Sequence, residues 1–112
     1  MSQAEDLVWK ALADPTRRSI LDRLAQGPAT TGDVCAFFAK ADHGGLGRTG
    51  VMKHLDCLEA AGLLTVRREG RLRWNHLNPV PIQRVCDRWV SRHVRHLASA
   101  ANRLKDHVER GS

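Results

Sequence analysis

Apolar side chains recur along this chain mostly at three- and four-residue spacing and once at two-residue spacing, so the pattern predicts five helices and a single hairpin. Leu7, Val8, Ala11 and Leu12 form a short amphipathic first helix. Asp14 is placed as the N-cap of a second, with Pro15 at the first helical position, where its missing N–H costs nothing. Ile20, Leu21 and Leu24 supply that helix's buried stripe before Gly27-Pro28 ends it. Thr30 and Asp33 resemble a capping box opening a third short helix through Val34, Phe37 and Phe38, with the Phe pair read as core.

The fourth helix, about 48–61, buries Val51, Leu55 and Leu58 on one stripe. Thr49 and Lys53 point most directly away from that stripe, with Met52 and Asp56 beside them and Arg48 at the N-terminal edge. His54 falls near the edge of the stripe, where it either donates to a phosphate or braces the turn. Gly62 stands where a left-handed residue closes a helix, and Leu63 can then fold back on Leu58. A helix exposing such a face fits the major groove, about 12 Å wide, and reads bases from its first two turns.

The wing, about 64–77, follows at once. A three-residue loop of Arg68, Glu69 and Gly70 puts Leu64 and Val66 on one face with Leu72 and Trp74, and leaves Thr65, Arg67, Arg71 and Arg73 on the other. Arg67, Arg68, Arg71 and Arg73 then suit a phosphate backbone. The expected fold is a mainly α winged helix-turn-helix with a two-stranded β wing, one domain spanning residues 1–112.

Charge supports the same half of the chain as the binding surface. Residues 1–62 carry seven Lys/Arg against eight Asp/Glu, while residues 63–112 carry eleven against four, a net of +7 where the whole chain has +6. An asymmetry of this kind points to an anionic polymer. Glu5 and Asp6 ahead of a short apolar run argue against a secretory signal, and no stretch approaches the ~20 apolar residues of a membrane span, so a cytoplasmic protein without a membrane partner is expected. Cys35, Cys57 and Cys86 are odd in number and widely spaced, so free thiols are expected, with Cys57 and Cys86 as small core residues. Gly111 and Ser112 read as a loose end.

A long last helix, about 79–109, repeats Ile82, Val85, Cys86, Trp89, His93, Leu97, Ala100, Leu104 and Val108 every three or four residues. So small a fold cannot cover that stripe, and a second copy of the chain is the economical partner, together with the first helix around Trp9. A homodimer presenting two reading helices about 34 Å apart implies a near-palindromic double-stranded DNA operator.

Ala13-Asp14-Pro15-Thr16-Arg17-Arg18 with Ile20-Leu21, Val51 and Lys53-His54-Leu55 with Leu58-Glu59-Ala60-Ala61-Gly62-Leu63, Arg67-Arg68-Glu69-Gly70-Arg71, and Leu77-Asn78-Pro79 together resemble the ArsR-type (arsenic-resistance-regulator-like) transcriptional repressors. The resemblance covers nearly the whole chain. It implies a bacterial cytosolic homodimer that binds operator DNA, usually repressing, with the first and last helices at the dimer interface and the fourth helix and wing on DNA. This chain has Gly47 and Met52 where the family often has Ser, so two hydroxyl contacts are missing. The turn before the fourth helix is lengthened by about six residues, Ala39 to Gly44, read as an extension of the support helix and a flexible glycine loop.

Sensing chemistry is sparse. Metal-sensing relatives resemble one another in a Cys-Val-Cys-type motif or paired acidic and His ligands on the last helix; here Cys35 stands alone. His96 and His107 have a suggestive spacing, but Val94 and Arg110 occupy the companion positions, and two imidazoles are too few for a closed tetrahedral zinc. His93 reads as an interface residue. No metal, cofactor or catalytic motif is expected, and any inducer is unknown. RNA binding is disfavoured because Trp74 is assigned to the core. The alternatives to a simple repressor are a winged-helix protein-interaction module and a metal- or redox-responsive repressor of the same fold.

Overall fold

The computed structural model describes residues 3–110, which form two compact units, divided between residues 81 and 82. Gly111 and Ser112 lie outside the described residues.

The first unit contains helices α1 (Gln3–Leu12), α2 (Pro15–Ala25), α3 (Thr31–Ala39) and α4 (Arg48–Ala60), and strands β1 (Ala29–Thr30), β2 (Leu64–Glu69) and β3 (Leu72–Leu77). Its core draws on every helix: Val8 and Ala11 from α1, Ile20, Leu21 and Leu24 from α2, Val34 and Phe38 from α3, Val51, Leu55 and Leu58 from α4. The Phe pair divides, Phe38 buried and Phe37 half-buried. Local caps set where helices start. The Asp14 carboxylate accepts from the amides of Thr16 at 2.8 Å and Arg17 at 3.1 Å, and the Thr30 hydroxyl accepts from the Asp33 amide at 3.1 Å.

The sheet has three strands in the order β1-β3-β2, all antiparallel. The two-residue strand β1 gave no signal in the hydrophobic pattern because it is too short to show alternation.

The hairpin register differs from the expected one. Glu69 pairs with Leu72, Arg67 with Trp74 and Leu64 with Leu77, so the loop is Gly70-Arg71. Gly70 takes φ +61° at the first loop position, the glycine-first pattern whose twist matches a hairpin. Leu64 and Val66 therefore share a face with Arg73, Asn75 and Leu77, and Trp74 and Leu72 turn to the other side with Arg67 and Thr65. The apolar match that favoured a three-residue loop lost to specific polar bonding. Asn75, 0% exposed, donates to the Ala29 carbonyl at 3.2 Å and the Thr31 hydroxyl at 3.1 Å, contacts unavailable to a leucine.

Between α3 and α4 the support helix is not extended. It ends at Ala39, and a separate 3₁₀ turn, Ala41–His43, follows with Gly44 and Gly45 both at positive φ. The segment is pinned by backbone bonds from Gly45 to Lys40 at 2.9 Å and from Leu46 to Phe38 at 2.7 Å, and by the Phe37 ring stacked on His43 at 4.2 Å.

The terminal residues run as helix α5 (Val80–Val85), a π-helical turn over Cys86–Val90, and α6 (Ser91–Arg110), so the single long helix expected there is interrupted. Along this run Val90, Val94, Leu97, Leu104 and Val108 are all exposed. Cys86, expected in a core, is exposed, and Cys57 is half-buried.

Burial pushes the Asp14 carboxyl up, but the backbone bonds from Arg17 and Thr16, with further help from the Arg17 guanidinium and His54, outweigh it and hold the pKa below its ordinary value. The capping contribution is therefore complete above the unfolded-state pKa and is lost as pH falls through the lower folded-state value. Asp14→Ala should cost about 1 kcal/mol at neutral pH. Urea midpoints of the wild type and variant should converge in acid, and a gap that stays constant to low pH would contradict this account.

Candidate DNA interface

Helix α4 is held by one face only. Val51, Leu55 and Leu58 are each 0% exposed, and their spacing leaves Arg48, Thr49, Lys53 and Asp56 exposed, with Met52 half-buried among them. The helix opens on Gly47, which offers no side-chain cap, and closes in a Schellman motif. Gly62, φ +77°, sends its amide to the Glu59 carbonyl at 2.9 Å and lets the Leu63 amide reach the Leu58 carbonyl at 2.9 Å. That closure turns the chain directly into β2, which ties the reading helix to the wing without a slack linker.

The four wing arginines separate into two groups. Arg67, Arg68 and Arg71 are exposed around the tip. Arg73, expected on the outer face, lies on the inner one, with its guanidinium donating to the Glu59 carboxylate at 2.7 Å. Its Nε is buried without a partner among the described residues. Arg68 sits directly opposite Arg73 in the ladder, an unfavourable pairing of like charges that Glu59 offsets. Arg73 is thus a strut between β3 and α4. Glu59 was missed because an exposed glutamate near a helix C-terminus has no sequence signature for a partner 14 residues on.

Trp74 is half-buried on the face it shares with Arg67 and His76, so its assignment to the core was incorrect. The argument against stacking on nucleic-acid bases that rested on a buried Trp74 falls with it.

His54 is half-buried and turned toward α2, with its Nδ1 3.3 Å from an Arg17 guanidinium nitrogen. The same guanidinium donates to the carbonyls of Ala11 at 2.8 Å and Lys10 at 2.9 Å. His54 thus braces the corner where α1, α2 and α4 meet. In the sequence Arg17 carried only a family resemblance, since its partners lie on two other helices.

An exposed cationic helix face joined to a basic hairpin is the arrangement of a DNA-reading winged helix, and this chain is similar in sequence and fold to known regulators. A family model described as "Helix-turn-helix domain" matches residues 12–67. The chain is 36% identical over 76 residues to a protein of Bacillus subtilis named transcriptional repressor SdpR, covering 68% of this chain and 78% of that one. A crystal structure of an ArsR family transcriptional regulator superimposes with a TM-score of 0.72 at 30% identity, covering 86% of this chain and 98% of that one. A homodimeric winged helix-turn-helix DNA-binding domain from Mycobacterium bovis, a possible ArsR-family regulator, superimposes with a TM-score of 0.60 at 28% identity over 84% of this chain and 82% of that one. The chain belongs to the ArsR-type winged helix-turn-helix transcriptional regulators.

Membership makes it a DNA-binding transcriptional regulator and agrees with the element order seen here. Among the described residues, no three His, Cys, Asp or Glu side chains gather as a metal site, and no helix is long and apolar enough to cross a membrane.

Glu59 is half-exposed, so breaking its bond to Arg73 should cost less than about 1 kcal/mol in stability. The local effect should be larger. Glu59→Ala should speed hydrogen exchange at the wing amides of residues 67–74 while leaving those of α2 unchanged; equal protection in both proteins would show that the strut does not hold the wing.

Proposed function

We propose that this ArsR-type regulator represses transcription by occupying a near-palindromic operator as a homodimer, acting by binding and not by catalysis. The observation that carries this reading is the single-sided burial of α4, which keeps Arg48, Thr49, Met52 and Lys53 available while Val51, Leu55 and Leu58 anchor the helix. In this reading those four side chains meet base edges and flanking phosphates, and Arg67, Arg68 and Arg71 lay the wing along the backbone. Arg73 and His54 leave the contact set, because Glu59 and Arg17 already occupy them.

Dimerisation is supported by exposed apolar side chains. Leu97 is 66% exposed, Leu104 65% and Val108 62% along α6, and Leu7 and Trp9 on α1 are also exposed. Stripes of this kind are covered in stable proteins, and the M. bovis relative is itself homodimeric. The SdpR relative is named as a repressor, and promoter occlusion is the simplest action of a dimer seated on its operator.

Selection of genomic fragments by the protein, followed by footprinting, should return a protected site with two-fold symmetry. An asymmetric or single half-site footprint would count against the dimer. Lys53→Ala should weaken operator binding at least tenfold with little change in melting temperature, a loss on the scale of one good base contact, about 1–3 kcal/mol. Arg71→Ala should weaken all duplexes alike and flatten the slope of log affinity against log salt by about one. Leu97→Glu combined with Leu104→Glu should yield monomers in sedimentation and abolish cooperative occupation of the two half-sites.

A further inference from the structure

We infer that Arg17 and His54 are positioning residues for DNA recognition, together fixing the angle at which α4 leaves the body of the first unit. The inference deepens the DNA-binding reading and rests on it. One guanidinium on α2 joins three helices: its Nε and one terminal nitrogen donate to the carbonyls of Ala11 and Lys10 at the end of α1, and the other terminal nitrogen faces His54 Nδ1 at 3.3 Å on α4 and the carboxylate of Asp14, the N-cap of α2, at 3.9 Å. Arg18 adds a bond to the Leu12 carbonyl at 2.6 Å, so the last turn of α1 is held by two neighbouring side chains of α2.

The chemistry of the contact assigns the imidazole. A guanidinium has donors only, so a hydrogen bond here has Nδ1 as its acceptor and leaves the ring N–H on Nε2. Packing by Val51, Leu55 and Leu58 fixes the depth of α4, but the hydrophobic term behind it is non-directional and constrains rotation about the helix axis less than a hydrogen bond does. A hydrogen bond from a rigid, half-buried planar fork is directional and resists them. His54 lies one residue from Lys53, so a small rotation there moves the reading side chains by a distance that specific base contacts do not tolerate. Phosphate attraction is less exacting. Loss of the bond should therefore reduce binding to a preferred sequence and spare binding to arbitrary DNA.

The test uses the full chain and the tightest duplex that the wild type selects from a random-sequence library, with a scrambled duplex as comparison. His54→Leu should lose at least tenfold in affinity for the selected duplex, keep its affinity for the scrambled one, and keep the wild-type salt slope. His54→Asn, whose amide oxygen stands near the place of Nδ1, should recover most of the loss. Arg17→Met should lower affinity for the selected duplex in the wild-type background and add little in the His54→Leu background. Thermal melts of each variant establish that the proteins compared are folded, and His54→Leu keeps the test decisive if Arg17→Met does not fold. Unchanged affinity in His54→Leu, a salt slope flatter by about one, or additive losses in the double variant would each overturn the inference. A wild-type protein that selects no duplex would overturn the DNA-binding reading beneath it, an outcome distinguishable because it appears before any substitution.

Discussion

The burial of Val51, Leu55 and Leu58 against the other helices is the constraint on which the arrangement depends. Three fully buried aliphatic side chains on one stripe contribute several kcal/mol, at roughly 1.5–3 kcal/mol each, and they anchor α4 against the other helices. The same stripe dictates function by exclusion. A helix anchored along one edge must leave the opposite edge unpacked, and that edge bears Arg48, Thr49 and Lys53.

Polar bonds then refine what apolar burial only approximates. Each of the directional contacts crosses between elements that the hydrophobic core already brings together: Arg17 with His54 between α2 and α4, Arg73 with Glu59 between β3 and α4, and Asn75 with Ala29 of β1 and with Thr31 at the start of α3. None is a large stabilising term, since a hydrogen bond nets only about 1 kcal/mol after solvation is exchanged. Their value lies in selecting one rotation or register among several that would bury similar apolar area. The wing shows this most clearly, where a register that looked better by apolar matching is displaced by one in which the Asn75 amide donates to Ala29 and Thr31 and the Arg73 guanidinium to Glu59.

Much of the fold was legible along the chain because its signals are local. Asp14 with Pro15 at a helix start, Thr30 three residues before Asp33, and Gly62 after Leu58 each act within a turn of the residues they govern, and the structure places all three as caps. The periodic stripe of α4 was equally readable, and with it the exposed face of the candidate site. Less legible were contacts whose partners are distant. Nothing beside Arg73 announces Glu59, nothing beside His54 announces Arg17, and a strand of two residues at Ala29 and Thr30 cannot display a period. The π-helical turn at Cys86–Val90 likewise lies within a continuous amphipathic pattern that predicts an uninterrupted helix.

The amino-acid order alone determined the first four helices, the caps at Asp14, Thr30 and Gly62, the exposed face of α4 and the cationic character of the hairpin, because periodicity and capping are short-range physics. Only the tertiary structure decided which arginines stay free and which become struts, and which way the hairpin strands face. Those outcomes depend on whether a polar group finds a partner dozens of residues away, and the free energies separating the alternatives are too small to be read from apolar spacing.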